Sequence, residues 1–151
     1  MAYRWQTSEF AELDTNHLYA ALRLRQQVFA VEQDCAYLDL DNMDQSAIHM
    51  LCWQEDQLLA YQRCLAPDKT FAESALGRIV VSPEARGHQL GKELVQRGIS
   101  HNLKRWPAQN IRIHAQAHLQ DFYHSLGFTA EGELFDEDGI PHIQMVHHHS
   151  D

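Results

Sequence analysis

The chain has 151 residues, 44% of them hydrophobic, which is enough to fill one α/β core and too little for two domains. Its net charge of -9 argues against general nucleic-acid binding, whose affinity comes from Lys and Arg neutralising phosphates. No window approaches the run of about 18 apolar residues that a membrane span needs, and Cys35, Cys52 and Cys64 lack the C-x-x-C spacing of redox or zinc sites. A soluble, unprocessed, cytoplasmic protein with no membrane partner is therefore expected.

The polar opening, MAYRWQTSEFAELD, carries no predicted element. Leu18, Leu22, Arg25, Phe29 and Glu32 then recur at spacings of four and three, which predicts a helix from about Asn16, capped by Asp14, Thr15 or Asn16. Two charges, Arg25 and Glu32, share its apolar stripe, so they either stabilise each other or reach into a pocket. Residues 32–44 hold five acids and no Lys or Arg, whereas residues 86–105 hold five bases and one acid. The first stretch suits a cation and the second an anion, although any single charge could equally be a solvated surface group.

IHMLCWQEDQLLAYQRCL alternates and breaks at Glu55-Asp56, which predicts a hairpin whose register keeps Cys52 and Cys64 apart. ALGRIVV reads as a buried strand ending at Ser82-Pro83, and Leu90, Leu94, Val95, Ile99, Leu103 and Trp106 mark a long helix that stops at Pro107. IRIHAQA is a further strand, with Ile111, Ile113 and Ala115 on one face. A short helix through LQDFYHSL ends at Gly127, and two last strands flank DEDGIPH, where Asp138-Gly139 signals a tight turn. His147, His148 and His149 are adjacent and cannot converge on one ion, so they are read as solvated or as an added tail, and no metal site is expected.

Between the strand and the long helix lies SPEARGHQLGKEL. A strand that turns into a helix gathers free N–H groups and the positive end of the helix dipole at one point, where a phosphate fits; Gly87 and Gly91 allow close approach, and Arg86 and Lys92 add charge. The turn matches neither the P-loop nor the dinucleotide fingerprint.

That loop, the order of elements around it and the later Tyr123-His124-Ser125-Leu126-Gly127-Phe128 resemble the GNAT acetyltransferases, whose phosphate loop reads Q/R-x-x-G-x-G/A. Here the loop is Arg86-Gly87-His88-Gln89-Leu90-Gly91, with Gln89 standing where the family has its middle glycine, and Gln116 stands where asparagine is usual. LRLRQQVFAVEQDCAYLDLD, AQAHLQDFY and EDGIPHIQM are similar to the ElaA-type subgroup, so the resemblance covers nearly the whole chain. It implies a single α/β domain over residues 1–151, with a mixed central sheet flanked by helices. It also implies acetyl-CoA as co-substrate and direct transfer of the acetyl group to a primary amine, from a small molecule or a peptide.

The resemblance makes Tyr123 the general acid beside the thioester sulfur. It gives the cofactor contacts to Ile79, Val80, Val81, the loop from Arg86 to Gly91, Gln116 and Tyr123, with a backbone N–H of strand 79–81 as oxyanion donor. Many relatives carry a glutamate on that strand, but none stands between Ala75 and Val81. The candidate bases are Glu32, His49, His118 and His142, with Glu32 and His142 first. The acceptor is expected to be a small cationic amine drawn to the acidic segment, with Arg25, Glu32, Asp41, Asp44, His49, His118 and His142 around it. A non-catalytic acyl-CoA sensor, an acyl-homoserine-lactone synthase-like enzyme and a homodimer remain alternatives at this stage.

Overall fold

The computed structural model describes residues 2–150. Seven strands form one mixed sheet: β1 (Arg4–Glu9), β2 (Ile48–Gln54), β3 (Gln57–Leu65), β4 (Ser74–Val81), β5 (Ile111–Gln116), β6 (Phe128–Glu137) and β7 (Ile140–His147), in the order β1-β2-β3-β4-β5-β7-β6. Three helices cover it: α1 (Thr15–Arg25), which runs on through a π-helical segment, Gln26–Glu32; α2 (Leu90–Arg105); and α3 (Gln120–Ser125). Strand residues point alternately to the two faces, and β2 divides accordingly. Met50 and Cys52 pack with Leu90 and Leu94 of α2, whereas Leu51 and Trp53 pack with Ala21 and Leu24 of α1.

Most local expectations match these elements. Asp14 caps α1 by accepting a hydrogen bond from the His17 amide at 2.7 Å. The β2–β3 register sets Cys52 opposite Ala60 and Cys64 opposite Ile48, and all three cysteines are free. The β6–β7 turn holds Asp138 and Gly139 at φ 54° and 82°, the double left-handed geometry that an Asp-Gly pair tolerates. Three features depart from expectation. Edge strand β1 was not predicted, because its polar residues do not alternate cleanly. The buried stripe of the first helix is Ala21, Leu24, Arg25 and Val28, an i, i+3, i+4, i+7 face beside the expected one, set by packing of Ala21 and Leu24 against the sheet. His147 is not a solvated tail residue: it ends β7 with its ring against Phe128, 5.4 Å between centroids, and burial pushes its pKa down.

Two irregularities position the site. Parallel strands β4 and β5 pair only at Ser74↔Ile111 and Ala75↔Arg112, so the sheet splits open beyond Ala75. On its other side β4 carries a bulge, with Tyr61 opposite Val80 but Arg63 opposite Gly77; the inserted stretch includes Arg78 at φ 50°.

Helix α2 lies close to β3 at Gly98, where an added Cβ would fall 2.5–2.9 Å from the amide of Gln62. That amide is fully buried and donates to the Leu94 carbonyl at 2.6 Å, so it has no room to retreat. Gly98→Ala should therefore lower stability by about 1–3 kcal/mol through overpacking, despite the better helix propensity of alanine. Equilibrium urea unfolding measures this, and a stabilised variant would contradict the packing.

Candidate active site

The split between β4 and β5 joins two cavities. The larger, about 710 Å³, runs from Ile79, Val80 and Val81 to the start of α2, lined there by Arg86, Gly87, Gln89, Leu90, Gly91 and Lys92. No side chain caps α2, so its first amides are open to an anion. Gly87 takes φ 86°, which favours glycine, and a Cβ on Gly91 would only touch Val81, at 3.5 Å. Gln89 fills the family's glycine position in the left-handed region, φ 62°, so the loop keeps its path at a conformational cost of about 1–2 kcal/mol. His88 is exposed and absent from the cleft lining. The donors fit a diphosphate, and the groove along β4 fits an extended apolar arm.

The smaller cavity, about 130 Å³, lies between β5, the β6–β7 hairpin and residues 33–37. The Cys35 thiol donates to the Asp138 carbonyl at 3.0 Å and closes one end. Phe29, Gln33, Ile79, Gln116, Leu119 and Tyr123 line both cavities. Tyr123 is 6% exposed, packed edge-on against Phe122 and Phe128, and burial pushes its phenol above the ordinary range, so it stays protonated at neutral pH. Gln116 pairs across the sheet with His142 and approaches Gln33 at 3.4 Å.

The candidate bases separate by position. His142 is buried in the wall of the small chamber, and its Nε2 lies 3.5 Å from Glu137. His118 is exposed and lines the larger cleft only. Glu32 also lines that cleft, where its carboxylate takes a two-pronged ion pair from Arg86 at 2.8 and 3.0 Å. It therefore faces the anion end, which corrects its ranking as a base. His49 lies elsewhere, fully buried between the Tyr61 hydroxyl at 2.6 Å and the Asp44 carbonyl at 2.8 Å, and burial holds its pKa down.

The acidic segment is also corrected. Asp44 is buried between Arg25 at 2.8 Å and Arg63 at 3.0 Å; Asp41 pairs with Arg63 and Arg78, and Asp39 with Arg25 and Arg78. Three acids meet three arginines, so Asp41 and Asp44 are not free to draw in a cation, and Arg25 is structural. Arg25 and Glu32 neither pair with each other nor share a pocket. The network anchors the 35–46 loop over the sheet and holds Tyr37 and Arg78 at the chamber wall. Sequence reading missed Arg78, His114 and Glu137, all in that wall.

A parallel strand pair that opens onto an anion-ready helix start, with a buried tyrosine between two cavities, defines an acyl-CoA-binding transferase fold. The chain belongs to the GNAT acetyltransferase family: residues 15–148 match the acetyltransferase (GNAT) domain model. It is 42% identical to the protein ElaA of Escherichia coli over 144 residues, 94% of each chain, and the crystal structure of that protein superposes with a TM-score of 0.91. An acyl-CoA N-acyltransferase from Pseudomonas aeruginosa gives a TM-score of 0.92 at 39% identity, covering 97% of this chain and 99% of that one. Likeness to the acyl-homoserine-lactone synthase LasI, a TM-score of 0.78 at 16% identity over 96% and 89% of the two chains, concerns the fold alone.

Proposed function

We propose that this protein transfers an acetyl group from acetyl-CoA to a primary amine by direct attack, with Tyr123 as general acid. The observation that carries this reading is the position of Tyr123 on the wall shared by the anion-ready cleft and the small chamber. Acetyl-CoA, when bound, supplies an electrophilic thioester carbonyl and a thiolate leaving group. Arg86, Lys92 and the first amides of α2 hold its phosphates. The edge of β4 that faces β5 forms no ladder beyond Ala75, and its N–H groups can donate to the carbonyl oxygen as negative charge builds there. The Tyr123 hydroxyl gives its proton to the departing sulfur, and His142, of the four candidate bases, is the one in the chamber wall where the amine would sit.

The Glu32–Arg86 pair supports the phosphate assignment. Both partners are about 40% exposed, so their pairing contributes at most about 1 kcal/mol and yields readily to an incoming phosphate. Arg86→Glu should weaken CoA binding at least tenfold while leaving a dephosphorylated pantetheine analogue nearly unaffected, measured by calorimetry. Equal losses for both ligands would remove Arg86 from phosphate binding.

A further inference from the structure

The wall of the small chamber contains a carboxylate between two imidazoles. Glu137, paired with Ile140 across the β6–β7 turn, has one oxygen 2.9 Å from Nδ1 of His114 and the other 3.5 Å from Nε2 of His142. The partners fix the protons. A carbonyl oxygen only accepts, so His142 Nδ1, 2.7 Å from the Ile140 carbonyl, carries its hydrogen. A carboxylate also accepts, so His114 Nδ1 carries the hydrogen it donates to Glu137. In the neutral rings, His142 Nε2 is then a bare lone pair facing the second Glu137 oxygen, and His114 Nε2 is buried without a partner.

Two bare acceptors 3.5 Å apart, one on a buried imidazole and one on a carboxylate whose side chain is 40% exposed, call for a donor that bridges them. His142 is 7% exposed, so bulk water reaches it poorly. A nitrogen with at least two N–H groups, about 2.9 Å from each acceptor, would satisfy both at once. The hydrogen bond from His114 also holds the Glu137 carboxyl below its ordinary range, so it stays ionised. The chamber opens past Ile79, Gln116 and Tyr123 toward the cleft where the thioester would lie.

We infer that Glu137 and His142 form an ammonium seat, which takes the acceptor as a primary alkylammonium ion, and that His114 positions the Glu137 carboxylate. This deepens the transferase reading and rests on it for the chemistry that follows. One ammonium hydrogen bonds to Glu137 and a second to His142 Nε2, which accepts that proton and is stabilised as a cation by Glu137. The freed lone pair forms the N–C bond as the C–S bond breaks. The nitrogen then loses its second proton, which replaces the one Tyr123 gives to sulfur, and the proton on His142 leaves to solvent. The products are an N-alkylacetamide, CoA thiol and one proton.

The test uses n-butylammonium and n-butyltrimethylammonium with the CoA-loaded protein, followed by calorimetry, and n-butylamine with acetyl-CoA, followed by thiol release. The wild type should bind n-butylammonium, bind the trimethyl ion at least tenfold more weakly, and keep its CoA affinity within twofold on Glu137→Gln. That variant should lose at least tenfold in n-butylammonium affinity and raise the amine KM by a similar factor, with Glu137→Asp restoring part of the loss. Equal binding of both cations, no binding of n-butylammonium to the wild type, or an unchanged affinity in Glu137→Gln would overturn the seat. Ammonium binding that follows this pattern without thiol release would keep the seat and reject the transferase reading.

Discussion

Tyr123→Phe should lower kcat by about 10²- to 10⁴-fold, the usual contribution of a general acid, while the Kd for CoA changes less than twofold. The two effects separate because the phenol acts on sulfur only as the C–S bond breaks, whereas the ring's packing against Phe122 and Phe128 survives in phenylalanine. Single-turnover thiol release at saturating amine, alongside calorimetry with CoA, reads both. An unchanged rate where chemistry limits would reject Tyr123 as the proton donor, and a matching fall in CoA affinity would make it a binding residue.

Asp44→Asn should cost about 3–5 kcal/mol of folding stability, because it leaves the buried Arg25 and Arg63 guanidinium groups short of a counter-charge. With ordinary urea slopes, the midpoint drops by more than about 1 M. The same network sets an acid limit. Burial raises the Asp41 carboxyl, but the hydrogen bonds and charge of Arg63 outweigh it and hold its pKa at about 2; Asp44 is lowered against burial by Arg25 and Arg63. A carboxyl depressed in the folded state contributes its stability in full above the unfolded value, about 3.9, and loses it as pH falls through the folded one. Wild-type stability should therefore fall between about pH 4 and pH 2, and Asp41→Asn should flatten that fall. An identical pH profile in the variant would remove Asp41 from the acid transition.

The order of strands and helices was legible because each buried element carries its own period, from the alternation of Ile111, Ile113 and Ala115 to the Asp-Gly turn. The cofactor loop was legible for a similar reason: its residues are consecutive, and a helix start binds anions wherever it occurs. What failed was pairing at a distance. Residues 32–44 looked like an attractor for cations because their counter-charges, Arg25, Arg63 and Arg78, come from α1, β3 and β4. Glu137 was hidden in a run of three acids that reads as a solvated turn; only the β6–β7 register brings it to His142, and the β5–β7 register brings in His114. Arg78 depends on a bulge that no local pattern signals. Glu32 illustrates the same limit, since its position on a helix face was visible but its partner, 54 residues later, was not.

The central claim is that the two cavities meet at Tyr123 so that an amine in one attacks a thioester in the other. The measurement that tests it most directly is mass spectrometry of one equivalent of acetyl-CoA incubated with the protein and a panel of primary amines, with free CoA quantified in parallel. The account predicts an N-acetylated amine formed in step with CoA thiol, and little of either with Tyr123→Phe. Tight acetyl-CoA binding with no amine-dependent product from any member of the panel would contradict it and make the chain an acyl-CoA-binding protein without turnover.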